Sequence, residues 1–220
     1  MARIRVLAQC IDLPNFSLGK WSAIAAGFGL LGAATPALAH HPFGGEVPTT
    51  FGEGLLSGLG HPMIGFDHLA FIVALGLLSA LHPRGGWIPL GFLLASIGGT
   101  VLHLSAVNLP LLEVWVALSV LVFGVLLLQR QAIAPGLILL AGAIAGVFHG
   151  YAYGEAVIGA EPTPISGYLL GFTVVQAAIA LGAYGLGRRW LTQVGERSLQ
   201  APALILCGIG AAFLALAIAG

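Results

Sequence analysis

His61, Asp67 and His68 stand together in the stretch GHPMIGFDHLAF, and His149, Tyr153 and Glu155 in FHGYAYGEA. Imidazole and carboxylate in combination hold divalent transition metals: imidazole favours nickel, copper and zinc, and carboxylate contributes negative charge. The setting makes these groups conspicuous. The chain is 58% hydrophobic and 7% charged, against ~45–50% and ~25% in soluble domains, and its mean hydropathy is +1.00. On the insertion scale an aspartate at the centre of a membrane helix costs about 2.5–3.5 kcal/mol. Asp67 has no lysine or arginine at its depth to offset that cost. A carboxylate so placed either takes a proton or binds a cation.

The elements that must position these groups are apolar segments near the ~20 residues that span a bilayer. Six follow one another, at 62–81, 87–107, 110–129, 133–155, 164–187 and 201–219. The fold class is therefore all-α: a polytopic transmembrane bundle of six spanning helices after a cleavable signal peptide. Arg3, Arg5 and Lys20, the apolar WSAIAAGFGLLGAA and Ala37-x-Ala39 make up that signal. Cleavage after Ala39 removes residues 1–39, Cys10 among them, and leaves His40 as the new N-terminus. The other reading is a retained first helix. Residues 40–61 form an extracytoplasmic tail and helix start, and 62–220 the six-helix domain. Residues 51–60 either extend the first helix outward or lie along the membrane surface.

Orientation follows from charge. Export places residue 40 outside, so the loops after the first, third and fifth segments are cytoplasmic. Arg84, Arg130, Arg188, Arg189 and Arg197 all fall in those loops, as the positive-inside rule requires. The C-terminus is then outside. His61, Asp67, His68, His103, Glu113, His149 and Glu155 gather in the outer half of the bundle, and His40, His41, Glu46 and Glu53 lie on the outer tail.

Each group also has a plainer reading. His61 and His68 are seven apart and share a helix face, whereas Asp67 points about 100° from His68. Pro62 suits a helix start, and Gly65 loosens the turn enough for all three to converge. His103 is either a ligand or an interhelical hydrogen bonder, and Glu113 either joins the site or is solvated. Glu53 reads as a solvated helix-start residue and His82 as a loop residue. Tyr153 shares a face with His149; Glu155 is off that face unless Gly150 or Gly154 bends the helix. The mature His40 would chelate a metal through its α-amine and imidazole, with His41 beside it. In the inner half, Ser79, Ser96, Ser119 and Gln176 offer weak ligands.

At HPMIGFDH and FHGYAYGEA the chain resembles the HupE/UreJ family of bacterial membrane proteins, associated with nickel supply to hydrogenase and urease. The first pattern is carried by His61, Pro62, Gly65, Asp67 and His68, the second by Phe148, His149, Gly150, Ala152, Gly154 and Glu155. Many members carry a histidine where this chain has Tyr153, with the glutamate one position later. The resemblance implies a permease in the bacterial inner membrane that imports Ni2+, with Co2+, Zn2+ or Cu2+ as other cargoes. It also implies a downstream nickel chaperone or nickel enzyme as partner. A formal net charge of zero gives no sign of nucleic acid. The chain contains no GxxxxGK[ST] for nucleotide. Two other readings of the residues are a membrane-embedded zinc hydrolase, with Asp67 or Glu155 as base, and a metal-binding protein that does not conduct.

Overall fold

The computed structural model describes residues 46–129 and 133–219, which form helices joined by turns. Helix α1 spans Phe51–Ile64. Its start is a reciprocal cap: the Glu53 N–H donates to the Thr50 hydroxyl at 3.2 Å, and the Thr50 N–H to the Glu53 carboxylate at 3.3 Å. Glu53 is thus the helix-start residue that its position suggested. Pro62 lies inside α1, where it lacks the N–H that would reach the Gly58 carbonyl and so weakens the last turn. At Gly65 the backbone leaves the helix (ψ 100°), and α2, Phe66–Ser79, sets off at 77° to α1.

This corrects the expectation of one straight helix over 62–81 starting at Pro62. The segment is a bent pair of helices, and residues 51–60 belong to the first of the two. Helices α3 (Pro89–Leu104), α4 (Leu112–Gln129), α5 (Pro135–Gly154), α6 (Pro162–Val194) and α7 (Gln200–Ala219) follow. Proline opens α3, α5 and α6, where its missing N–H costs nothing. Among the described residues five helical stretches are each long and apolar enough to cross a membrane, and six if the bent pair is counted as one span. The fold is an all-α membrane bundle. Helix α6 is longer than the expected 164–187: its 33 residues reach about 50 Å, against an apolar bilayer core of ~30 Å. Arg188 and Arg189 therefore lie on a helical extension and not in a loop. The segment expected to be a signal peptide and Arg130 fall outside the described residues.

Helix α2 occupies the centre. Pairs α1/α6, α3/α5 and α4/α7 pack along their lengths, and α2 touches α3, α4, α5, α6 and α7. Its Phe71, Ile72, Ala74, Leu75 and Leu78 are fully buried, as a helix apolar on every side must be. Two bonds fasten its far end: Arg188 Nη1 donates to the Ala80 carbonyl at 3.0 Å, and the Tyr184 hydroxyl to Pro83 at 2.9 Å. Helices α3 and α5 meet backbone to backbone, so that a side-chain carbon at Gly150 would collide with the Ser96 carbonyl. Leu94, Leu140, Leu181 and Leu216 point outward and are exposed, a surface suited to lipid.

Candidate functional site

The break between α1 and α2 brings two helix poles to one place. The carbonyl end of α1 carries partial negative charge and attracts a cation; the amide end of α2 carries the opposite sign and repels one. Asp67 lies in the first turn of α2, half-buried, and its Oδ1 accepts from the His68 N–H at 2.8 Å. Its charge offsets the repelling pole. Asp67 therefore has a local structural partner as well as a favourable position for a cation.

Three histidines from three helices surround this break. His61 ends α1, His68 begins α2, and His149 projects from α5; none is more than 2% exposed. Tyr153 stands between the first two, its ring centre 5.1 Å from that of His61 and 4.5 Å from that of His68. Straight-helix geometry had put His61 and His68 on one face. In the structure they are neighbours across the bend, with ring centres 6.0 Å apart.

The proton positions follow from hydroxyls that have one hydrogen each. The Ser119 hydroxyl of α4 donates to the Val116 carbonyl at 2.6 Å, so at 2.9 Å it accepts from His149 Nε2. Neutral His149 then carries its lone pair on Nδ1, which faces His68 Nδ1 at 2.7 Å. His68 must donate there, and its own lone pair is on Nε2. The same reasoning holds on the other side. The Tyr168 hydroxyl of α6 donates to the Tyr153 carbonyl at 2.7 Å and accepts from His61 Nδ1 at 2.9 Å. His61 is therefore also polarised to carry its lone pair on Nε2. Bonds of this kind behind an imidazole fix tautomer and orientation in metal sites.

The His68–His149 contact is a hydrogen-bonded pair as it stands. Two imidazoles on one ion, each at ~2.0–2.1 Å, would lie roughly 2.8–3.4 Å apart, so the spacing is close, but both Nδ1 atoms point along the shared proton. Joint ligation needs one ring to turn. Among the described residues no three His, Cys, Asp or Glu side chains are grouped to hold a metal ion. Below the histidines aromatic rings pack together: the Phe71 ring centre lies 4.5 Å from that of His149, 5.1 Å from that of Phe92 and 4.8 Å from that of Phe123.

The other sequence candidates fall outside this cluster. His103 donates from Nδ1 to the Tyr151 carbonyl at 2.7 Å and stacks on that ring, which is the interhelical role weighed for it. Glu113 is exposed in the first turn of α4, and Glu155 is exposed in the short turn after α5. His82 lies in the turn after α2, at the opposite end of the molecule from the cluster. His40 and His41 lie outside the described residues. Sequence reasoning missed Tyr168 and assigned Ser119 to the inner half. Tyr168 had a signal: SGYLLGF alternates small residues with aromatics four apart on one face of a helix.

A family model described as HupE / UreJ protein matches residues 28–217. The chain belongs to the HupE/UreJ family. Protein HupE of Rhizobium leguminosarum bv. viciae is 32% identical over 172 residues, covering 76% of this chain and 83% of that protein. No solved structure matches. Members of the HupE/UreJ family are membrane transporters and not enzymes, which sets aside the hydrolase reading.

Proposed function

We propose that this protein imports a divalent transition metal across the bacterial inner membrane, with Ni2+ as principal cargo, to supply a nickel enzyme such as hydrogenase or urease, directly or through a chaperone. The observation that carries the reading is the meeting of His61, His68 and His149 at a helix break, with hydrogen-bond acceptors at the Nδ1 atoms of His61 and His68 that put their lone pairs on Nε2. Asp67 supplies negative charge beside them. Nitrogen ligands with one carboxylate suit nickel better than magnesium or calcium, which prefer all-oxygen sites.

The sequence of events has three stages. The outer tail, with His40 and His41 once residues 1–39 are removed, captures the ion with part of its water; Glu113 and Glu155 at the exposed rim add charge. His61, His68 and Asp67 replace some of that water. Rotation of the His68 or His149 ring breaks their shared hydrogen bond and lets His149 join. Passage further requires the Phe71–Phe92–Phe123 layer to part, so the arrangement described here is the state closed toward the arginine-bearing end. The grouping of Arg84, Arg188, Arg189 and Arg197 at that end supports a cytoplasmic assignment for it, with the mature N-terminus and the C-terminus extracytoplasmic.

The test is uptake into proteoliposomes, comparing Ni2+, Co2+, Zn2+ and Cu2+. Saturable Ni2+ entry, reduced by excess of the competing ions in order of their own transport, is the expected result. Liposomes that take up no more of any of these ions than protein-free vesicles would refute the reading.

A further inference from the structure

Besides His82 Nε2 near the arginine-bearing end, the buried side-chain polar atoms with no hydrogen-bond partner among the described residues are the Tyr153 hydroxyl and both ends of the Gln176 amide. Gln176 is fully buried. A buried polar group left unpaired is destabilising, a penalty that a leucine there would not incur. A residue held at such expense calls for a use.

Its place on α6 suggests one. Tyr168, Phe172, Gln176 and Ala180 recur every four residues and are all fully buried, so they form one stripe along α6. Tyr168 bonds His61 at 2.9 Å, and Phe172 packs on Tyr153 with ring centres 5.5 Å apart. At Ala180 the carbonyl lies against Gly76 of α2. Gln176 is one helical turn, about 6 Å, past Phe172 toward the arginine-bearing end. The stripe thus leads from the histidines past Gln176 and down the α2–α6 contact. The buried hydroxyls of Ser79 and Ser96 are committed: Ser79 donates to Leu75, and Ser96 to Phe92, each to a carbonyl of its own helix.

We propose that the Gln176 amide is a second station for the divalent cation, receiving it from the histidines with part of its water shell. The amide oxygen accepts the ion or a bound water hydrogen, and the amide N–H2 orients a neighbouring water. The Tyr153 hydroxyl, buried where the stripe meets the histidines, holds water on the approach. A neutral oxygen suits this position because a conducting site must bind weakly enough to release. The proposal rests on the transport reading above.

Three measurements on the full-length protein test it: initial Ni2+ uptake into proteoliposomes, equilibrium Ni2+ binding in detergent, and thermal unfolding. Gln176→Leu is expected to lower uptake at saturating Ni2+ at least ~10-fold. Binding at the histidines should stay within about twofold of wild type, and the unfolding temperature should hold or rise, because an unpaired amide has been removed. Gln176→Met, nearly isosteric, repeats the measurement if the leucine variant does not insert. Wild-type uptake by either variant would overturn the station. So would a lower unfolding temperature accompanying the lost uptake, which would mark Gln176 as structural, or weakened binding that accounts for the whole loss. His68→Ala separates the two ideas: if it abolishes uptake while Gln176→Leu does not, the station falls and the transport reading stands. If the wild-type protein moves no Ni2+, both fall.

Discussion

Asp67 and His68 are adjacent in sequence, yet they do different things. Asp67 accepts from the His68 N–H in the first turn of α2 and offsets its pole; His68 receives its orientation from His149 and, through His149, from Ser119. Asp67→Asn keeps an oxygen able to accept the His68 N–H but removes the charge. Both Asp67→Asn and His68→Ala are expected to abolish Ni2+ uptake in proteoliposomes while the protein still inserts and elutes as one species. Uptake at the wild-type rate by well-inserted Asp67→Asn would show that the carboxylate serves only the helix end. Gly65 sets a second test. A methyl group there would stand 2.7 Å from His68 Cδ2, so Gly65→Ala must displace the ring. Crowding of this kind typically costs about 1–3 kcal/mol where it cannot relax, and a turned imidazole relieves it. The expected outcome is weaker Ni2+ binding, by roughly tenfold for each ~1.4 kcal/mol, read by equilibrium titration. At this scale the residues that gather at the break were legible, because polar groups are costly in an apolar chain. Their partners were not, since Ser119 and Tyr168 lie 30 and 107 residues from the histidines they bond.

Among the elements, α3 and α5 carry the clearest constraint. Gly150 admits the Ser96 carbonyl where any side chain would collide, and one residue away on the same helix His149 joins the cluster. Thr100 closes the same contact by donating to the Gly150 carbonyl at 2.7 Å. Gly150→Ala is expected to destabilise the bundle by about 1–3 kcal/mol, measured as earlier unfolding in a denaturing-detergent titration. Gly98→Ala is the control: it lies in α3, the helix packed against α5, but has open space around it, and alanine there should be neutral or stabilise by up to ~1 kcal/mol through helix propensity. Equal destabilisation by the two would contradict the close-contact account. The bent helix pair illustrates why element boundaries were only partly readable. Pro62 and Gly65 are visible as weak points, but a proline suits a helix start as well as an interior kink. What favours the kink is the packing of α1 along α6, which extends the helix back to Phe51 and so places Pro62 inside it.

For the molecule as a whole the observable is pH. Imidazoles ligate metal only when neutral, and an ordinary histidine titrates near ~6.5. Protonation therefore removes ligands as the pH falls. Initial Ni2+ uptake at subsaturating metal, with equal pH on both sides, is expected to drop between about pH 7 and 5.5. Carboxylates alone would hold the metal until about pH 5, given their reference values near ~4. Uptake that stays flat from pH 7.5 to 5 would count against histidine capture. Holding both sides at one pH matters, because a proton gradient could drive import and mask the loss of ligands.

Composition and hydropathy by themselves determined that this is a helical membrane bundle, because an apolar chain in lipid must satisfy its backbone within helices. Spacing and residue type also marked His61, Asp67, His68 and His149, since polar groups are costly at that depth. Only the tertiary structure decided how they meet. A 77° break replaced the straight first helix, α2 became the central element, and Glu113, Glu155 and His103 were directed away from the three histidines. The reason is physical: helical periodicity reports which residues share a face of one helix, while the neighbours of that face are set by contacts between segments distant in sequence. The choice of Gln176 over Ser79 and Ser96 has the same origin, because whether a buried polar atom finds a partner is a property of the packed bundle and not of any one helix.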